Sequence, residues 1–130
     1  MISTFPRIEL YTDTDGHARF RETALPLAEG TPQARLSAVF PATGYQFRES
    51  PVGFRSDYHC TTRPQWTIIL AGMMEIGLRD GSSRVFHAGE GFFSNDLLPE
   101  GEIFDPARHG HWSRQIGDTP LRTLFLAVAG

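Results

Sequence analysis

Apolar positions along this chain come in short runs separated by turn residues, and no segment keeps the 3.6-residue apolar period of an amphipathic helix. The runs "WTIILAG" (66–72), "MMEIGL" (73–78) and "RTLFLAVAG" (122–130) have strand length. Thirteen glycines and nine prolines punctuate them, in "TDG" (14–16), "PATG" (41–44), "SPVG" (50–53) and "RDG" (79–81). Short strands with frequent turns predict an all-β sandwich or barrel. The clearest hairpin is at Asp80-Gly81, between "MMEIGL" and "SSRVF", because this dipeptide tolerates the positive φ angles of a tight turn. The longest expected loop is "LLPEGEIFDPAR" (97–108), with two prolines, a glycine and three acids. Loops of that size often act as lids, and Phe104 is the apolar contact such a lid would use.

Composition narrows the chemistry. At 130 residues the chain is one domain with room for a hydrophobic core. A net charge of −3 and a pI near 5.9 give no attraction toward nucleic acid or anionic membrane. All twelve basic residues are arginine, so Schiff-base catalysis through a lysine amine is excluded. The single cysteine, Cys60, cannot close an intrachain disulfide, and alternation sends it to the face opposite His59. No apolar run reaches the ~20 residues that span a bilayer, and "MISTFPRIEL" lacks the pattern of a signal peptide. The cytoplasm is the expected compartment. G-x-S-x-G, phosphate-cradling G-x-x-x-x-G-K-[ST] and C-x-x-C motifs are absent.

What remains is a set of histidines. His59 and Gln65 lie six positions apart in a strand-like stretch, "HCTTRPQ", so an even spacing places them on one face together with Thr61, Arg63 and Thr67. Arg63 would suit an anionic or carbonyl-bearing substrate. His109 and His111 form an H-x-H, again on one face if both are extended, with Ser113 and Gln115 following on the same side. Glu75 is a candidate general acid/base, or else a solvated strand residue. His17 and His87 sit in turn-like stretches and are expected at the surface.

The order "HCTTRPQWTIILAGMMEIGLRDGSSRVFHAGEGFFSND" followed by "GHWSR" resembles a single-domain cupin, a small antiparallel jelly-roll β-barrel. The likeness extends to the leader "ELYTDTDGHARFRE" and covers nearly the whole chain. It implies an N-terminal strand extension over 1–35 and a barrel over 36–130. In the family's first motif, H-x-H-x-x-x-E with a later glycine, His59 takes the first histidine position, Thr61 the second, Gln65 the glutamate and Gly72 the glycine; His111 takes the histidine of the second motif. The family centre is implied to be three histidines and a glutamate holding Fe, Mn, Ni, Zn or Cu. Thr61 and Gln65 depart from that set, and His109 would restore a third imidazole if it faces inward. The resemblance therefore implies a site with His59, Gln65, His109 and His111 as metal ligands, His59, His111 and Glu75 as catalytic groups, and Arg63, Thr61, Thr67, Phe104 and Ser113 against the substrate. It also implies a homodimer paired through edge strands. Three functions fit: a metal-assisted isomerase, lyase or dioxygenase, placed first; a metal-free histidine-based lyase or isomerase; and a ligand-binding module without chemistry.

Overall fold

The computed structural model describes residues 3–128. Eleven strands and no helix occur among them: β1 (Thr4–Thr12), β2 (Ala18–Pro26), β3 (Glu29–Thr31), β4 (Ala34–Leu36), β5 (Ala42–Ser50), β6 (Gln65–Ala71), β7 (Met73–Gly77), β8 (Ser83–His87), β9 (Gly91–Asn95), β10 (Trp112–Ile116) and β11 (Leu121–Val128). A six-stranded sheet has the order β2-β1-β9-β6-β11-β5, a three-stranded sheet the order β10-β7-β8, and β3-β4 is a separate hairpin. Neighbours are antiparallel except β1 and β9. Among the described residues no helix is long and apolar enough to cross a membrane.

The all-β jelly-roll expectation holds, with one difference. The strands form two facing sheets, not one closed hydrogen-bonded ring, because no strand of β10-β7-β8 pairs with a strand of the large sheet. Strand alternation turns Leu10, Ile69, Phe92 and Leu121 of the large sheet toward Met74, Ile76 and Phe86 of the small one, and all seven are buried in one cluster. Each such side chain contributes about 1.5–3 kcal/mol by leaving water. Phe86 and Phe92, with ring centroids 4.6 Å apart, join the two layers. The N-terminal strands belong to the large sheet, where β2 forms one outer edge and β5 the other.

The Asp80-Gly81 hairpin links β7 to β8, closed by the Leu78 amide donating to the Ser82 carbonyl at 2.9 Å. Gly72, at the family's glycine position, is where the chain leaves the large sheet for the small one. Its φ of +80° and the Pro120 carbonyl oxygen 2.9 Å from where a Cβ would stand admit only glycine.

Candidate functional site

The segment before β6 is irregular but crosses the start of β10 and the end of β9. His59 and His111 form an antiparallel bridge, with the His59 amide 2.9 Å from the His111 carbonyl and the reciprocal bond at 3.0 Å. Residues directly opposite in such a pair project to the same side, and the two imidazole centroids are 4.7 Å apart. Two residues on, Thr61 bridges Leu97 and its amide donates to the Asp96 carbonyl at 2.8 Å. Gly110 permits the approach: its φ is +89°, and a Cβ there would stand 2.7 Å from the His59 carbonyl oxygen.

A cavity of about 150 Å³ opens between the sheets beside these rings. Its polar lining includes Arg48, His59, Gln65, Thr67, Ser94 and His111, and Met74, Ile76, Phe92 and Phe125 supply the apolar wall. His111 is buried, and its Nδ1 lies 2.8 Å from Oδ2 of Asp96, a carboxylate with no solvent exposure. The Thr12 hydroxyl donates to the other oxygen of Asp96 at 2.7 Å. A carboxylate accepts, so Nδ1 of His111 carries the proton and Nε2 is left as the basic nitrogen. His59 sits at the mouth with Nδ1 3.0 Å from the Asp57 carbonyl, which fixes the same tautomer.

His59 is solvent-exposed on its outer side, but partial desolvation at the mouth lowers its pKa; the Asp57 carbonyl opposes this, and the nearby His111 and Arg48 add to the depression. The neutral imidazole is therefore favoured in the folded chain. The unfolded state then binds more protons once pH falls below the ordinary value of 6.5, so stability is lost as pH falls from there through the folded-state pKa. Denaturant titrations between pH 8 and 5 are expected to show this slope, and His59→Gln is expected to flatten it.

Of the residues singled out from the sequence, His59, Thr61, Gln65, Thr67, His111 and Ser113 come together around the cavity. Thr61 also bonds Ser94 through its hydroxyl at 2.8 Å. Arg63, Glu75, Phe104, His109 and Gln115 are elsewhere. Arg63 is exposed, because β6 begins only at Gln65 and the residues before it do not alternate as a strand. For the same reason Cys60 is not turned away but lines the cavity, where burial pushes its thiol up to about 11, making it a weak nucleophile. Glu75 lies between inward-facing Met74 and Ile76 on β7, so it projects from the opposite face. There Ser83 and Arg114 bond its carboxylate and hold its pKa below the usual value, a structural ion pair instead of a cavity acid.

His109 is buried yet turned away from the cavity. The positive φ of Gly110 breaks the extended geometry that would put His109 and His111 on one face. Nδ1 of His109 accepts from the Asp105 amide at 2.9 Å, and Nε2 lies 3.1 Å from the Arg108 guanidinium. The ring is the internal staple of the loop 97–108. Phe104 packs toward this ring, with centroids 6.1 Å apart, and does not line the cavity. The loop is anchored on the β1–β2 turn, with Arg108 against Gly16 and the Thr12 hydroxyl on the Leu97 carbonyl at 2.9 Å. It borders a wide, shallow groove there, so the lid over the histidines is not what it forms. Gln115 likewise ties down turns, through the Gly53 amide and the carbonyls of Gly117 and Thr119.

Two cavity residues, Ser94 and Arg48, and the carboxylate behind His111, Asp96, are absent from the sequence expectations. Ser94 and Asp96 were within reach, since alternation from Phe92 in "FFSND" puts them on the inner side. Arg48 was not, because only the pairing of β5 with β11, Arg48 opposite Thr123, carries it to the cavity.

The donor set does not fit a transition metal of the expected kind. Zinc and iron sites use three or four strong donors, commonly three imidazoles or two and a carboxylate. The cavity gathers two imidazoles, the neutral amide of Gln65 and the Cys60 thiol, whose raised pKa keeps it protonated. Asp96 already spends both oxygens on His111 and Thr12. Among the described residues no group of three His, Cys, Asp or Glu side chains converges as metal ligands would.

Among solved structures the chain is similar to the Cnp3 cupin domain of Schizosaccharomyces pombe, with a TM-score of 0.47 and 15% identity over 98% of this chain and 85% of that one. A comparison with protein-family models finds no match, and one with curated proteins finds none.

Proposed function

We propose that this chain is a small-molecule enzyme of the isomerase or lyase type, in which His111 moves a proton within the cavity without a metal. The observation that carries the reading is the buried Asp96–His111 pair. A carboxylate on Nδ1 holds the ring in one tautomer and orientation and stabilises the imidazolium that forms when Nε2 takes a proton. In the step so supported, Nε2 of His111 removes a proton from an acidic carbon of the substrate, and the electron pair moves into the adjoining carbonyl. The proton is then returned to a neighbouring atom, by His111 in an isomerisation, or to a departing group in an elimination. His59, with its neutral form favoured, is placed to hydrogen-bond the same substrate from the mouth. Gln65 and the hydroxyls of Thr67 and Ser94 are available to orient it.

The reading is tested by incubating chelator-treated protein in D2O with a panel of small enolisable compounds, charged and uncharged, and following loss of the C–H signal by NMR. Exchange above the buffer rate is expected for at least one member, and His111→Asn is expected to lower it by about 10²–10⁴-fold, the usual contribution of a positioned general base. Equal rates in the two proteins would contradict the proposal, as would exchange that needs an added divalent metal. No exchange with any member also contradicts it and makes the cavity a binding site without chemistry.

A further inference from the structure

We propose that the cavity takes a small monocarboxylate, such as a 2-hydroxy or 2-oxo acid, with its carboxylate held by Arg48 at the mouth. This rests on the reading of the cavity as a small-molecule site and supplies the ligand class that reading leaves open.

Arg7, Arg19, Arg21, Arg108, Arg114 and Arg122 each have a carboxylate within ion-pair distance. Arg35, Arg48, Arg55, Arg63, Arg79 and Arg84 have none among the described residues, and of these Arg48 is the one that lines the histidine cavity. Its guanidinium carbon lies 4.7 Å from the centroid of the Phe54 ring, a contact that positions the group without neutralising it. Arg48 as a whole is solvent-exposed on the edge strand β5; partial desolvation on the cavity side lowers its pKa, and a guanidinium stays charged regardless. Facing it are the imidazoles of His59 and His111. Asp96, the acid close by, lies behind His111 and is fully engaged. Arg48 is thus the cationic side chain of the cavity mouth, with no carboxylate paired to it among the described residues. An anionic ligand would pair with it.

Three features select a monocarboxylate among anions. The planar fork of arginine matches a carboxylate bidentately. Phosphate sites, by contrast, typically add a helix N-terminus or a nest of backbone amides, and the described residues contain no helix. The volume of about 150 Å³ equals roughly five waters at about 30 Å³ each, which admits an acid of roughly two to four carbons. Met74, Ile76, Phe92 and Phe125 would take its hydrocarbon part, while Gln65, Thr67 and Ser94 offer hydrogen bonds to a hydroxyl or carbonyl beside the carboxylate.

The test is calorimetric titration of the chelator-treated full chain with lactate, with lactamide, its uncharged isostere, and with inorganic phosphate. Lactate is expected to bind at least tenfold more tightly than lactamide or phosphate. Arg48→Met is expected to reduce lactate to the lactamide level, and Arg48→Lys, which keeps the charge but loses the fork, to fall between. Equal affinity for lactate and lactamide in the parent protein overturns the proposal without any variant, so a variant that fails to fold does not rescue it. Tighter binding of phosphate, or unaltered lactate binding in a folded Arg48→Met protein, also overturns it. Lactate binding without exchange would remove the base from His111 and leave the carboxylate site standing, whereas exchange confined to neutral compounds would do the reverse.

Discussion

Asp96→Ala is expected to reduce turnover by about 10²-fold or more, although Asp96 is shielded from the substrate behind His111. The substitution removes the acceptor of both the His111 Nδ1 proton and the Thr12 hydroxyl. His111 is then free to rotate and to carry its proton on Nε2, and a ring in that tautomer cannot accept a proton there. Buried polar groups left without a partner cost about 1–3 kcal/mol, so a loss of stability of that size is expected in denaturant titration. The two effects separate by temperature: well below the melting transition the variant remains folded, yet its turnover stays low. Full activity in folded Asp96→Ala protein would show that the carboxylate is structural only.

How much of this site was legible depended on whether local geometry or distant pairing placed each residue. His59 and Gln65 were readable from their even spacing, although the chain between them is not a regular strand. The same irregularity misplaced Arg63 and Cys60, for which alternation had to hold residue by residue. His109 was misread because one glycine, Gly110, interrupts the extended backbone and turns a two-residue spacing into opposite directions. Glu75 and Asp96 show the converse. Both lie in regular alternation, with Met74 and Ile76 or with Phe92 and Ser94 marking the inner side, so their directions were available from the sequence. Arg48 was beyond reach, since its place depends on the register between β5 and β11, more than seventy residues apart along the chain. The same non-local pairing decides that the strands form two facing sheets instead of a closed ring, which the run of short apolar segments does not specify.

Gly110→Ala is expected to disrupt the site from the other side. The residue's φ of +89° is costly for any side chain, and the new Cβ would stand 2.7 Å from the His59 carbonyl oxygen. Backbone atoms cannot yield as a flexible side chain would, so the His59–His111 bridge must open and its two hydrogen bonds weaken. Left-handed strain alone costs about 1–2 kcal/mol, and two weakened bonds add about 1 kcal/mol each, giving an expected loss of about 3–4 kcal/mol. Ligand binding in the cavity is expected to fall at least tenfold, because the two imidazoles no longer converge. Denaturant titration and lactate calorimetry on the same variant read both effects. A protein of parental stability and affinity would mean that the bridge does not govern the cavity.

The state of one nitrogen decides whether the buried pair makes His111 a base. A two-bond proton–nitrogen correlation spectrum of chelator-treated, ¹⁵N-histidine-labelled protein above neutral pH reads the tautomer of each ring directly. The result expected is that His111 carries its proton on Nδ1, with an unprotonated Nε2 that shifts when a cavity ligand is added. A spectrum placing the proton on Nε2 would contradict the orientation by Asp96 and, with it, the role of His111.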